Sequence, residues 1–75
     1  MKNWWMLKKR SFAIAGHRTS VALEPEFWAV LEAEARKHGI SLAGLVARID
    51  SGRGERNLAS ALRVHVLLEK NARES

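Results

Sequence analysis

The chain has 75 residues, a formal net charge of +5 and a hydrophobic content of 47%. So short a chain has room for one domain, which buries too little apolar surface to be stable without reinforcement. There is no cysteine, which excludes disulfides and thiolate metal sites, and His17, His38 and His65 are too widely spaced to form a helical pair of metal ligands. Self-association is the reinforcement that remains, so we expect a homodimer with no metal and no cofactor.

The positive charge is concentrated at the N-terminal end. Residues 1–23 contain no acid, whereas residues 24–75 carry equal numbers of acids and bases. A solvated surface normally mixes both signs, so a one-sided segment indicates a polyanionic partner, and nucleic acid fits better than a membrane. No run is long and apolar enough for a membrane span or a signal peptide, and we expect a cytoplasmic protein. The bases in the first segment are Lys2, Lys8, Lys9, Arg10 and Arg18.

We interpret residues 1–16 as a basic and aromatic N-terminal arm. Trp4 and Trp5 either fold back onto the dimer or anchor at a membrane surface, and packing is the favoured alternative. Residues 11–15 alternate in polarity, so a hairpin with Gly16 at its turn is a second interpretation of this region.

Residues 18–23 predict a β-strand with one buried side. Thr19, Val21 and Leu23 recur at period two, and the residues between them lie on the opposite face. A single strand cannot satisfy its own backbone hydrogen bonds. We therefore expect this strand to pair antiparallel with its counterpart in a second copy of the chain, about a two-fold axis.

Three amphipathic helices are predicted after the strand. A proline suits the first turn of the first helix, and Gly39 suits the position after its end. Ser41 can cap the second helix, and a polar loop at residues 51–56 precedes a third helix that Asn57 can cap. The apolar positions are Phe27, Trp28, Leu31 and Ala35 in the first helix, Leu45, Val46 and Ile49 in the second, and Leu58, Leu62, Val64, Val66, Leu67 and Leu68 in the third.

The strand, the proline-started helix, the Gly-x-Ser turn and the second helix, over residues 17–50, resemble the ribbon-helix-helix DNA-binding family. A longer pattern, residues 15–28 (AGHRTSVALEPEFW) followed by residues 56–63 (RNLASALR), is similar to a bacterial and phage subgroup with an added C-terminal helix. The resemblance implies a mostly α fold with one short β-strand, built as an intertwined homodimer with a two-stranded antiparallel intermolecular ribbon. The expected divisions are an arm at 1–16, a ribbon-helix-helix core at 17–50, a loop at 51–56, and a C-terminal helix and tail at 57–75.

In this family the paired strands enter the DNA major groove, and alternate side chains of the open face read base edges. The corresponding residues here are Arg18, Ser20 and Ala22. Arg18 can pair with guanine, Ser20 with several bases, and Ala22 with a thymine methyl group. The expected dimer interface comprises Thr19, Val21, Leu23, Phe27, Trp28, Leu31, Leu45, Val46, Ile49, Leu58 and Leu62.

Two segments are expected to contact DNA phosphates. The family resemblance implies one at the start of the second helix, where free amides and the helix dipole attract an anion. The bases ahead of the strand can follow the flanking backbone. The residues assigned to phosphate contacts are Gly39, Ile40, Ser41 and Leu42 at the helix, and Lys8, Lys9, Arg10 and His17 near the strand.

The sequence thus predicts a sequence-specific transcription regulator that acts as a repressor. It binds duplex DNA as a homodimer, and its dimers can associate further on the DNA. No enzyme is predicted, because paired carboxylates, a metal set and a phosphate-cradling loop do not appear. The alternative is a protein-binding module, such as an antitoxin, that docks a partner through its apolar third helix. A membrane-associated adaptor that uses Trp4 and Trp5 is a third hypothesis.

Overall fold

The computed structural model describes the backbone of residues 7–74 and the side chains of residues 7–71. The hypotheses on Trp4 and Trp5 lie outside these residues. Within the described backbone, no helix combines the length and the apolar character needed to cross a membrane. The elements in chain order are β1 (Lys8–Ile14), β2 (His17–Leu23), α1 (Pro25–Lys37), α2 (Leu42–Ser51) and α3 (Leu58–Glu74).

The mostly helical class with a two-stranded antiparallel ribbon is confirmed, but both strands of the ribbon come from one chain. β1 pairs with β2 in a register that runs from Lys8 opposite Leu23 to Ile14 opposite His17. The intrachain hairpin, which was the second interpretation of the sequence, is therefore the observed arrangement. Residues 8–14, expected in the arm, supply the partner strand that was expected from a second copy.

A two-residue turn joins the strands. Ala15 and Gly16 both have positive φ, 52° and 86°. Positive φ at both central residues defines a type I′ turn, whose twist matches that of the flanking strands. The turn thus closes a tight hairpin without a loop.

The end of α1 and the starts of α2 and α3 lie where local sequence predicted them. Gly39, with a φ of 68°, follows the end of α1. The hydroxyl of Ser41 accepts a hydrogen bond from the Gly44 amide over 3.0 Å. The side-chain oxygen of Asn57 accepts one from the Ser60 amide over 2.8 Å, ahead of α3. These caps satisfy backbone amides that the helices leave without an intrahelical partner.

The core lies between the inner face of the hairpin and the three helices. Every element contributes to it, so the apolar surface of β1 and β2 is covered by helices of the same chain. The buried members are Phe12, Ile14, Val21, Leu23, Trp28, Leu31, Ala35, Leu45, Val46, Leu62 and Val66.

Most of the residues predicted to line a dimer interface belong to this core. Their burial therefore requires no second chain, and their role between protomers stays a prediction. Those buried are Val21, Leu23, Trp28, Leu31, Leu45, Val46 and Leu62, and those half-buried are Thr19, Phe27, Ile49 and Leu58.

Candidate nucleic-acid interface

The outer face of the hairpin is a polar surface that faces away from the core. Alternate residues of both strands form it, and all are exposed except Ala22, which is half-buried. The predicted base-reading residues of β2 share this face, and β1 contributes an equal number that the sequence analysis had not assigned to base contacts. The facing pairs are Lys9 with Ala22, Ser11 with Ser20, and Ala13 with Arg18.

Two serine hydroxyls lie at the centre of the outer face. The Oγ atoms of Ser11 and Ser20 are 2.9 Å apart and share a hydrogen bond. Each hydroxyl can donate once and accept twice, so the pair keeps both donor and acceptor capacity for a third group. Base edges in the major groove offer both kinds of partner. Ser11 was missed as a site residue, although the alternation of residues 11–15 was the signal that could have placed it.

Lys9 and Arg18 lie at diagonally opposite corners of the outer face. Both side chains are exposed, and neither forms an ion pair within the described part of the chain. These two cations are therefore available to an external anion or base. Lys8 and His17, also predicted to contact phosphate, are exposed at the two ends of the ribbon.

Arg10 differs from the other basic residues of β1, because its side chain lies on the inner side of the hairpin. Its Nη1 is 2.6 Å from Oε2 of Glu32, and its Cζ is 5.2 Å from the ring centroid of Trp28. Arg10 thus joins β1 to α1, and a phosphate contact by this residue would compete with the ion pair.

The start of α2 offers fewer amides than the sequence suggested. The Gly39 amide donates to the Arg36 carbonyl oxygen over 3.1 Å, and the Ile40 amide donates to that of Ala35 over 3.0 Å, so both are used in closing α1. The Ser41 amide and the first amide of the helix, at Leu42, precede the intrahelical hydrogen-bond ladder. The predicted phosphate site narrows to these two groups and the helix dipole.

A carboxylate and an imidazole meet between α1 and α3, outside the outer face. The Glu34 side chain is buried, and Nε2 of His65 lies 2.9 Å from both of its oxygens. Glu69 brings a third donor atom within 4.8 Å of the others, a set that a divalent cation could use. The direct contact with His65 already satisfies the buried carboxylate, and we interpret the pair as a structural link between the two helices.

Comparison with known protein families gives a match to a model described as a ribbon-helix-helix domain, over residues 7–69. The matched span begins one residue before β1 and ends within α3. The hairpin and most of the third helix therefore lie inside the matched domain. Neither the curated proteins nor the solved structures give a match.

Proposed function

The chain belongs to the ribbon-helix-helix family, and from this premise we propose that it is a sequence-specific repressor that inserts its β1–β2 hairpin into the DNA major groove. Ribbon-helix-helix proteins are generally DNA-binding transcription regulators and are not typically enzymes. The major groove admits a two-stranded β-ribbon. The observation that carries the proposal is the outer face of the hairpin, which is exposed, polar at its centre and cationic at two corners.

Direct base contacts are assigned to the outer face. Arg18 matches the paired N7 and O6 acceptors of guanine, and the Ser11–Ser20 pair can donate to or accept from several bases. Ala13 and Ala22 are small enough to let the groove floor approach and can contact thymine methyl groups. In this division the cationic side chains discriminate between bases. The alanines determine how closely the ribbon approaches the floor of the major groove.

Phosphate contacts are assigned to exposed groups that flank the outer face. Lys8 and His17 lie at the ends of the ribbon, and the free amides at the start of α2 supply a second anchor through Ser41 and Leu42. Such contacts position the ribbon and carry little sequence information. They make the affinity fall as the salt concentration rises.

We propose further that two chains act together on DNA, since the family binds DNA as dimers. Each chain has its own hairpin, so a homodimer brings two ribbons, and dimers that associate further bring more. In this arrangement each ribbon belongs to one chain, and the shared intermolecular ribbon predicted from the sequence is the alternative to it.

A protein-binding role is the second candidate, and two exposed leucines on α3 favour it. Leu67 and Leu68 are 59% and 61% exposed and adjacent in sequence, whereas the core-facing residues of the helix are buried. Two exposed leucines side by side suit an apolar contact with a second protomer or with another protein. Replacing both with serine should abolish such a contact while leaving the core residue Leu62 in place, and light scattering of the purified chain alone and with its co-purified partner measures it.

DNA binding is tested by enriching a random duplex library with the full chain and measuring the affinity for the enriched duplex by fluorescence anisotropy. We expect tighter binding than to a scrambled duplex of equal length, and an affinity that falls steeply with salt. Arg18→Ala should reduce the preference by roughly 5- to 150-fold, which corresponds to about 1–3 kcal/mol.

Lys70→Ala is the matched control, because it removes one exposed positive charge from α3 and none from the outer face. It should leave the preference for the enriched duplex unchanged. A chain that enriches no sequence, or whose affinity does not respond to salt, would contradict the proposed function.

A further inference from the structure

The two strands of the hairpin repeat one sequence pattern at a spacing of nine residues. Residues 9–14 read KRSFAI and residues 18–23 read RTSVAL, so that each strand carries a base, a variable residue, a serine, an apolar residue, an alanine and an apolar residue. Burial repeats in the same order. At each of the seven positions of β1 and β2 the degree of exposure agrees, except that Ala13 is exposed where Ala22 is half-buried.

The register converts this repeat into an approximate two-fold symmetry. Ser11 faces Ser20, and each is the serine of its own repeat. An antiparallel pair of strands can be rotated by half a turn about an axis that passes between two facing residues. The axis through the serine pair carries Lys9 onto Arg18 and Ala13 onto Ala22, and it keeps the outer face outside.

The main departure from the symmetry lies on the inner face. Arg10, which pairs with Glu32, corresponds to the half-buried Thr19. On the outer face the only chemical difference is a lysine in place of an arginine. The symmetry that the sequence analysis expected from two chains is thus present, approximately, within one chain.

We infer that the hairpin of each chain by itself reads a quasi-palindromic stretch of DNA, with Lys9 occupying in one half of that stretch the position that Arg18 occupies in the other. The inference rests on the proposed function and specifies the partner of the outer face. Two-fold symmetry in a DNA-binding protein is mirrored by palindromy in its site. Both cations can pair with guanine, but arginine does so through a rigid fork of donors and lysine through a single ammonium group.

The expected site therefore has a guanine on each strand, and the half read by Arg18 is the more strictly specified. Lys9 and Arg18 belong to facing pairs four residues apart, which corresponds to roughly 13 Å along a strand. With the strands along the groove, this separation spans about four base-pair steps of about 3.4 Å. The site is short enough for one hairpin to cover.

The test is the enrichment of random duplexes by the full chain and by three variants of the outer face. Lys9→Ala should relax the base preference in one half only of the stretch that a hairpin reads, and Arg18→Ala in the other half only. Where two chains bind together, the enriched duplex contains this stretch twice, and both copies should respond alike. Lys9→Arg should make the two halves equally strict, because it restores the symmetry of the outer face. Lys70→Ala, which changes charge on α3, should enrich the same site as the unmodified chain.

A ribbon made from β2 of two chains gives a different result. Arg18 would then occupy both halves, so Arg18→Ala would relax both and Lys9→Ala neither. That pattern, or any site in which the two variants do not affect opposite halves, overturns the inference and leaves DNA binding intact. A chain that enriches no sequence instead overturns the proposed function itself.

Discussion

Trp28 shows how one side chain fixes the position of a strand. It was predicted to pack in the core or at a dimer interface, and it is 2% exposed within its own chain. Its indole N–H donates to the Lys8 carbonyl oxygen over 2.7 Å, its ring centroid lies 5.9 Å from that of Phe12, and the guanidinium of Arg10 lies over its ring. All three contacts are with β1, so Trp28 holds that strand in contact with α1.

Replacing Trp28 with phenylalanine tests this attachment. The variant keeps an aromatic ring but removes the donor to Lys8 and some of the buried volume. We expect the free energy of unfolding to fall by about 1–3 kcal/mol, with a drop in Tm of roughly 5–20 °C. Thermal unfolding followed by circular dichroism measures it, with Leu67→Ala on the exposed side of α3 as the control that should change little. An unchanged Tm for Trp28→Phe would show that β1 is held by other contacts.

His65 and Glu34 provide a second test at this scale. His65→Ala removes the group that bonds to the buried carboxylate of Glu34, and the cost of leaving that group unsatisfied is about 1–3 kcal/mol. Replacing both residues with leucine should recover much of this loss, because an apolar pair of similar size has no unsatisfied group. Urea denaturation of both variants measures it. A double variant no more stable than His65→Ala would contradict the unsatisfied carboxylate as the cause of the loss.

At the scale of elements, the hairpin depends on the two residues of its turn. Ala15 adopts a φ of 52°, a conformation that asparagine tolerates better than alanine, whereas Gly16 at 86° suits glycine. We expect Ala15→Asn to stabilise the chain by about 0.5–1 kcal/mol. Gly16→Ala should destabilise it by about 1–2 kcal/mol through backbone strain alone, since a Cβ there meets no atom within 4 Å.

Gly52→Ala is the matched control for the turn. Gly52 has a negative φ of −105°, and an added Cβ there would lie 4.0 Å from the nearest atom, the Ile49 carbonyl oxygen. We expect a change within about 0.5 kcal/mol. Thermal unfolding of the variants ranks them, and a Gly16→Ala chain as stable as Gly52→Ala would contradict the type I′ turn.

The elements differ in how far sequence alone predicted them. The helix starts were predicted correctly, because caps such as Ser41 and Asn57 act on amides only three residues away. β1 was assigned to the arm because Lys8 and Arg10 occupy inner positions, where the alternation predicts apolar residues. Arg10 is tolerated there because its guanidinium pairs with the Glu32 carboxylate and lies over the Trp28 ring. Both of these residues lie on α1, which follows later in the chain.

The candidate site was likewise predicted only as far as local sequence pattern allows. Arg18, Ser20 and Ala22 were assigned correctly to an open strand face, since a period of two can be recognised within six residues. The other half of the face depends on the register of β1, which pairs residues up to 15 positions apart. Local pattern does not specify such a pairing, and the lone strand then appeared to need a second chain.

For the whole molecule, the decisive feature is that one chain encloses its own core. Apolar residues of both strands and all three helices pack together, and β2 already has its partner strand.

An intertwined dimer would unfold and dissociate in one step, so its Tm would rise with protein concentration. A hundredfold increase would stabilise it by about 2.7 kcal/mol, or roughly 5–10 °C. We expect the isolated chain instead to keep its Tm within about 2 °C over that range, as measured by calorimetry alongside sedimentation equilibrium. A Tm that rises with protein concentration by the amount expected of an obligate dimer would show that a second chain completes the core. It would contradict the self-contained hairpin.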